Sequence, residues 1–380
     1  MPTLHDIETP ALILDEDRMM RNIARMRKRF SGIEGVSFRP HLKTAKSIDI
    51  ARRIFPDGPG AITVSTLLEA EHFAEAGFKD ILYAVALSPD KLPRVQKIRS
   101  SGVDLCVIVD SAEAVHHMQD HFSQALTGVP FLIEIDCDGC RAGVPHRDGK
   151  SLLAIADCLT NAGAELRGVM THAGGSYLAT SSAEIERTAN EERARTLACA
   201  AILREAGYAA PTVSIGSTPT ALAPGSVEGI TEIRAGVFVF FDLVMASLNV
   251  CSLDEIALSV LTSVIGRRDD KRWVITDAGW MALSRDQGIA SHGDSYGYGL
   301  ACDINCTPVN GAIISGANQE HGIMTVREGS AGEFRSIGIG ERLRILPNHA
   351  CATAAQHLQY YVVKTGSDEI VATWPRFNGW

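Results

Sequence analysis

Lys43 stands among Arg39, His41 and Lys46 in residues 36–46, V-S-F-R-P-H-L-K-T-A-K, a stretch that begins as a buried strand and ends in a polar knot. A lysine at the end of such a strand is either a solvated loop charge or an amine held in a cleft. In the cleft, desolvation and the neighbouring cations Arg39 and Lys46 would lower its pKa and free its lone pair for attack on a carbonyl. Further along, polar residues again close apolar strands. Asp136 leads into Gly139-Cys140-Arg141-Ala142-Gly143, and Thr171-His172 into Ala173-Gly174-Gly175-Ser176-Tyr177. Two later strands give Gly216-Ser217-Thr218-Pro219-Thr220 and Glu232-Ile233-Arg234-Ala235-Gly236-Val237.

The last two loops combine backbone N–H groups, hydroxyls and glycines that permit close approach, the means by which a protein cups a phosphate. Either loop alone reads equally well as a turn chosen for its backbone geometry; both together favour the phosphate. A lysine across a barrel mouth from a phosphate cup suggests pyridoxal phosphate, whose aldehyde needs an amine while its phosphate anchors the other end. His172 could then stack on the ring or hydrogen-bond it, and Arg141 could neutralise the ring's phenolate oxygen.

His349 and Cys351 follow an expected strand at 342–346. On an extended segment a His-x-Cys pair puts imidazole and thiolate on the same side, and zinc favours both ligands. Such a pair is more often incidental, but two protein ligands would leave open positions for water or substrate, a catalytic arrangement. Cys137-Asp138-Gly139-Cys140 reads as a turn rather than a redox motif, and His117 and His121 as surface histidines of a helix. Residues 318–322, N-Q-E-H-G, read as a polar turn or a contribution to the site.

Apolar strands at 61–64, 81–85, 105–109, 131–136, 166–172, 212–216 and 230–234, with the one before Lys43, alternate with helices. Helix starts are marked by Thr66-Leu67-Leu68-Glu69 and by Asp110-Ser111, and Asp15 precedes a helix with Met19, Ile23 and Met26 on one face. Strands buried on both faces and separated by helices predict a parallel sheet, and eight units favour a (β/α)8 TIM-type barrel. A doubly wound sheet is the alternative, weakened by the lack of G-x-G-x-x-G after any strand. Beyond residue 251 the texture turns β-rich, with strands expected at 257–265, 272–276, 312–315, 323–326, 342–346, 360–363 and 369–373. Turn signals there are Asp269-Asp270, Asn310-Gly311 and Thr365-Gly366-Ser367. The expected division is a barrel over residues 1–250 and a β-rich domain over 251–380, with residues 1–15 open to pairing with the latter.

At 380 residues, 46% hydrophobic and 21% charged, the chain has the composition of a soluble globular protein large enough for two domains. A net charge of −9 and the lack of any basic run beyond residues 25–29 argue against nucleic-acid binding. No stretch reaches the roughly 18 apolar residues of a membrane span, and the N-terminus lacks a signal-peptide pattern, so a cytoplasmic location is expected. Nine cysteines, mostly in apolar segments, fit reduced buried thiols.

R-P-H-L-K-T-A-K, V-S-T-L-L-E-A-E, I-E-I-D-C-D-G-C-R-A-G-V, T-H-A-G-G-S-Y, G-S-T-P-T, R-A-G-V-F-V-F-F-D, D-A-G-W, Q-E-H-G and P-N-H-A-C occur in that order along nearly the whole chain. Together they resemble the fold-type III pyridoxal-phosphate enzymes acting on D-3-hydroxy amino acids, a group of D-serine and D-3-hydroxyaspartate dehydratases and D-threonine aldolases. The resemblance implies an alanine-racemase-like barrel with a β-domain, and a homodimer with active sites near the subunit interface. It gives Lys43 the Schiff-base role and Arg141 the contact to the cofactor's phenolic oxygen. His172 becomes the histidine closing the sixth strand, with Tyr177 beside the cofactor, and Ser217, Thr218, Gly236 and Val237 form the phosphate loops. Where the family has Pro or Asn in the strand-eight loop this chain has Ala235 and Val237, so position 237 offers its N–H but no polar side chain to the phosphate. His349 and Cys351 match the divalent-metal pair (zinc, manganese or magnesium). His-x-Cys is the dehydratase form and His-x-Asp the aldolase form, so the implied reaction is dehydration and deamination of D-threo-3-hydroxyaspartate, D-serine or D-threonine. Retro-aldol cleavage is the alternative, and a pyridoxal-phosphate-binding protein without turnover the second.

Overall fold

Strand β1 (Ala11–Asp15), buried throughout, feeds helix α1 (Glu16–Phe30), where Asp15 Oδ1 accepts the Arg18 N–H at 2.9 Å and caps the first turn. Met19, Ile23 and Met26 fall on one face and are buried, as their spacing predicts. The structure, a computed structural model, describes residues 1–122, 126–288, 295–327 and 337–380.

Strands and helices then alternate: β2 (Ser37–Pro40), α2 (Ile48–Ile54), β3 (Ile62–Val64), α3 (Leu67–Glu75), β4 (Asp80–Ala86), α4 (Leu92–Ser100), β5 (Asp104–Val109) and α5 (Ala112–Phe122). They continue as β6 (Pro130–Asp136), β7 (Val144–Pro145), α6 (Gly149–Asn161), β8 (Glu165–Thr171), α7 (Ser182–Glu205), β9 (Thr212–Ile215), α8 (Thr218–Leu222), β10 (Glu232–Ala235) and α9 (Leu243–Ser247). The expected caps form: Thr66 accepts the Glu69 N–H, and Ser111 Oγ accepts that of Ala114.

Eight of these strands lie side by side in the order β2-β10-β9-β8-β6-β5-β4-β3, all parallel, with β7 paired to β6. A parallel bridge between His41 and Thr63 joins the two edge strands, so the sheet closes as the expected (β/α)8 barrel. Leu82, Cys106, Ile108, Leu132 and Met170 form an apolar layer inside it.

The strand starts are tied by charge. Arg39 donates to Glu232 Oε2 at 2.5 Å, Asp80 Oδ1 at 2.7 Å and the Ile62 carbonyl, linking β2 to β10, β4 and β3. Arg167 binds both Asp104 oxygens, at 2.7 and 3.0 Å; farther along the strands, Arg234 donates to Ser214 Oγ and to the carbonyl of Thr171 at the end of β8.

The remaining elements are β11 (Leu258–Arg268), β12 (Trp273–Thr276), α10 (Trp280–Leu283), β13 (Leu300–Cys302), β14 (Pro308–Ala317), β15 (Gly322–Val326), β16 (Arg342–Leu346), α11 (Ala350–Ala354), β17 (Gln359–Val363) and β18 (Ile370–Pro375). Strands β12-β15-β14-β13-β16-β11 form an antiparallel ring closed by pairing of β11 with β12. The first part of β11 also pairs with β1, which continues in parallel to β17 and thence to β18. Leu4, Ala11, Ile13, Leu261, Val363 and Ile370 form a core there.

Two expectations change. Asn310-Gly311 is no turn, because β14 runs through it. Leu300 faces Ile313 while Cys302 faces Pro308, so the extra residues bulge, with Gly311 at φ +72. The hairpin turn lies instead at 303–307, and β13 was missed because a three-residue strand shows no period.

By internal contacts the chain divides into two compact units: residues 1–25, 44–50 and 237–378 in one, and 26–43, 51–236 and 379–380 in the other. The parallel barrel belongs to the second and the antiparallel ring to the first.

The Arg39 clamp is open to test. Arg39→Met should cost about 3–5 kcal/mol in chemical denaturation, because Glu232 is left charged in a closed interior. Arg39→Met combined with Glu232→Leu should recover most of that. A single-variant loss below about 1 kcal/mol would show the clamp to be no stronger than a surface ion pair.

Candidate active site

Lys43 lies just past β2, and the chain before it is fixed by the His41 N–H on the Ala235 carbonyl (2.8 Å) and the Leu42 N–H on that of Thr63 (2.9 Å). The Lys43 N–H is directed at His41 Nδ1 at 3.4 Å. Burial holds His41 well below the usual histidine range, with the Lys43, Arg234 and His172 charges adding to the effect. Burial does the same to His172, reinforced by Lys43 and Arg141. Lys43, His41, His172, Arg141 and Arg234 therefore share one electrostatic neighbourhood. Arg39 acts on Arg234 as well, but its guanidinium is hydrogen-bonded to Glu232 and Asp80 at the starts of their strands, which corrects the expectation that it neighbours the Lys43 amine.

His172 Nδ1–H donates to the Gly216 carbonyl at 2.9 Å, which leaves Nε2 as the basic nitrogen. The Tyr177 ring lies 6.0 Å from the imidazole at 30°. Arg141 is exposed in the loop after β6, and a Cβ on Gly174 would come within 2.9 Å of its Cδ, so the glycine lets the arginine lie against the loop after β8. Asp138 Oδ2 accepts the Gly175 N–H at 2.7 Å and ties the same two loops. Cys137 is buried, Cys140 exposed and both are unpaired, in keeping with a turn. The sequence reading missed Glu134. Its carboxyl is pushed up to about 7 by burial and by Asp110, against the pull of Arg141 and Arg234.

Ser217 caps α8, with its Oγ accepting the Thr220 N–H while its own N–H goes to Thr220 Oγ1. The Gly216 N–H is donated to Glu192 Oε1 at 3.0 Å. Neither N–H is thus left for a phosphate, contrary to expectation. The glycine is required for another reason: at φ +132, a Cβ there would stand 2.1 Å from the Arg234 carbonyl oxygen. Thr218 Oγ1 is buried and makes no hydrogen bond among the described residues, a donor left over at the start of α8. Gly236 follows β10 directly, and Val237 opens a short 3-10 turn, Val237–Val239. An orphaned buried hydroxyl, a helix start and a glycine at a strand end suit a phosphate, and Lys43 suits an aldehyde.

His349 and Cys351 do not sit on an extended segment. His349 is the N-cap of α11 and Cys351 lies in its first turn, so backbone departure from the helix sets their relation, not strand alternation. They nonetheless interact. Burial alone would lower the His349 imidazole, but Cys351 beside it and a 2.6 Å hydrogen bond from Nδ1 to Asp286 Oδ2 push it up to about 11. Thr44 Oγ1 lies 3.2 Å from Cys351 Sγ. Asp242 Oδ2 accepts the Ala350 N–H at 3.0 Å, and its Oδ1 caps α9 through the Met245 N–H. Among the described residues no three His, Cys, Asp or Glu side chains gather to hold an ion. The pair fits a metal as two ligands, with Asp286 on Nδ1 leaving His349 Nε2 to coordinate.

Asn318 and Gln319 form the β14–β15 turn, and their carbonyls accept the Trp280 and Met281 N–H groups at the start of α10. Arg285 stacks on Trp280, 5.3 Å from the ring centre. His117 and His121 are exposed on α5.

The depressed histidines set a pH dependence. Unfolded histidines take up protons near pH ~6.5, whereas folded His41 and His172 resist protonation until well below that. The unfolded chain therefore binds more protons at these two positions on acidification, and their contribution to stability should fall as pH drops below about 6.5 and level off above about 7.5, on top of the opposite slope that His349 adds as pH rises. His41→Gln and His172→Gln should each flatten the melting-temperature profile. A profile identical in the variants would count against buried neutral imidazoles.

Residues 14–244 match the family "Alanine racemase, N-terminal domain" and residues 257–363 match "Putative serine dehydratase domain". The chain is 47% identical over 380 residues to D-threo-3-hydroxyaspartate dehydratase of Delftia sp. (strain HT23), covering 100% of this chain and 99% of the relative. The solved structure of that dehydratase superposes with a TM-score of 0.94 at 47% identity, covering 100% of each chain. D-serine dehydratase of Dictyostelium discoideum is 28% identical over 97% of this chain and 96% of its own. A 3-hydroxy-D-aspartate aldolase of Paracoccus denitrificans (strain Pd 1222) is 26% identical over 97% and 92%. Barrel, antiparallel domain and whole-length similarity agree: the chain belongs to the alanine-racemase-like, fold-type III family of pyridoxal-phosphate enzymes, in the group that contains the D-threo-3-hydroxyaspartate and D-serine dehydratases.

Proposed function

We propose that this protein is a pyridoxal-phosphate-dependent lyase that converts D-3-hydroxy amino acids, D-threo-3-hydroxyaspartate foremost, to the 2-oxo acid and ammonia. The observation that carries this reading is whole-length identity of 47% to a dehydratase, against 26% to an aldolase, in a chain whose His349 and Cys351 lie side by side.

Bound at Lys43, pyridoxal phosphate would hold the substrate amine covalently and withdraw the electron pair left at Cα. The chain's own residues do the rest. Lys43, once displaced by the substrate amine, takes the Cα proton, in a neighbourhood kept cationic by Arg141 and Arg234. His172, fixed on the Gly216 carbonyl and neutral, presents an uncharged imidazole to the ring. Arg141 would neutralise the phenolic oxygen of the bound cofactor, and Tyr177 packs beside His172. Thr218, through its unused hydroxyl, with Gly236 and Val237 would hold the phosphate, and Ser217 would face it through a hydroxyl shared with Ser176 and Thr220. His349 and Cys351 hold a divalent ion that would supply Lewis acidity at the 3-hydroxyl. Water leaves from Cα and Cβ and returns when the unsaturated amine product is hydrolysed, so the net products are the 2-oxo acid and ammonia. The working form is a homodimer.

Purified enzyme should absorb at about 410–420 nm and lose that band on borohydride treatment with Lys43 modified, as an enzyme-bound imine does. Lys43→Ala should lower the rate by roughly 10³-fold or more. Chelation should abolish activity while leaving the melting temperature and the band nearly unchanged, and zinc or manganese should restore it. The deciding assay offers each D-3-hydroxy amino acid and measures ammonia against glycine. Glycine with the matching aldehyde, and no ammonia, would replace the dehydratase by an aldolase.

A further inference from the structure

Helix α7 buries Ile185, Glu192, Thr196, Cys199, Ala200 and Leu203, and at one position of that otherwise small and apolar face stands a carboxylate. Glu192 is 1% exposed. No arginine or lysine forms an ion pair with it among the described residues, although the charge of Arg234 acts on it. Burial pushes its carboxyl up, while the Thr220 hydroxyl and the N–H groups it binds pull the other way. A group so costly to bury is retained for what it binds.

A single oxygen, Oε1, accepts both the Ala173 N–H (3.1 Å) and the Gly216 N–H (3.0 Å). Ala173 follows His172 at the end of β8, and Gly216 precedes Ser217 at the end of β9. The circuit closes on itself. Gly216 returns its carbonyl to His172 Nδ1–H at 2.9 Å, and Ser176 Oγ, bonded to the Ala173 carbonyl at 2.7 Å, lies 2.8 Å from Ser217 Oγ. Two loops that share no strand hydrogen bond at these residues are tied to each other by His172 and Ser176, and a side chain from a helix outside the barrel holds a backbone N–H of each.

We propose that Glu192 is a positioning residue of the cofactor site, acting through Ala173 and Gly216 to hold the His172 loop against the Ser217–Thr218 loop. This rests on the reading of that loop as a phosphate site. Glu192 acts through the backbone N–H groups of Ala173 and Gly216 rather than on the cofactor itself. Its role is that of an acceptor, not of a charge, because a negative charge behind a phosphate loop would oppose the phosphate. Glutamine at this position keeps an oxygen for both N–H groups, whereas methionine fills the volume and accepts neither.

The test compares binding of pyridoxal phosphate and of pyridoxal to apoenzyme prepared from the wild type, Glu192→Gln and Glu192→Met, with melting temperatures recorded alongside. The wild type should prefer the phosphorylated form strongly. Glu192→Gln should stay within about threefold of that preference, and Glu192→Met should lose about tenfold or more of it while its affinity for pyridoxal moves little, the loss expected when hydrogen bonds to two buried donors go. A merely structural lesion would weaken both ligands equally. An unchanged preference in Glu192→Met, or an equal loss in Glu192→Gln, overturns the assignment. Should Glu192→Met not fold, Glu192→Asp, which withdraws the oxygen by one methylene, is read by the same criterion. A wild type without preference for the phosphate would instead sink the phosphate-loop reading itself.

Discussion

Closure of the barrel depends on one buried guanidinium. A parallel sheet becomes a barrel only when its first and last strands meet, and here β2 must pair with β10 on one side while meeting β3 on the other. Arg39, from β2, reaches partners on β10, β3 and β4 at once through Glu232, the Ile62 carbonyl and Asp80. Burial would lower the pKa of this arginine, but Glu232 and Asp80 more than offset it, so the ion is held charged although little of it meets water. With Arg167 on Asp104, the strand starts are occupied by charge pairs and the middle by apolar side chains. At the strand ends closure is left to backbone hydrogen bonds of His41 and Leu42, so side chains there can carry chemistry without loss of the fold.

That separation explains what the sequence made legible. Alternating apolar strands and helices are a local property of each segment, and so are the polar residues that end each strand, so both the barrel and its rim can be read from the chain. Arg39 was misassigned for the same reason. It lies four residues from Lys43, but Arg39 belongs to β2, which ends at Pro40, whereas Lys43 lies in the turn beyond it, so nearness in sequence did not put the two side chains at one end of the strands.

What stayed hidden were the supports. Glu192 reaches Ala173 and Gly216 across 19 and 24 residues, Asp286 reaches His349 across 63, and Asp242 reaches Ala350 across 108. A sequence pattern reports which face of a helix is buried; it does not report that a buried carboxylate on that face binds two N–H groups. Loops offering glycines and hydroxyls look like a phosphate cup whether or not their N–H groups are already committed, and Gly216 and Ser217 show that some of them are.

The His-x-Cys pair shows a correct grouping reached through the wrong geometry. Strand alternation would place both side chains on one face by period alone. In a helix, residues two apart point roughly 200° from each other, and the pair would diverge. His349 escapes this because, as N-cap, it has φ −130 and ψ 106 rather than helical angles, and its imidazole swings back beside Cys351. The relation therefore hangs on where the helix begins, and that point is fixed by Asp242, whose carboxylate holds the N–H of Ala350, the residue between the two. Asp286 then fixes the imidazole through Nδ1, so the two carboxylates, one on the backbone and one on the ring, determine how the nitrogen and sulfur face any ion they share.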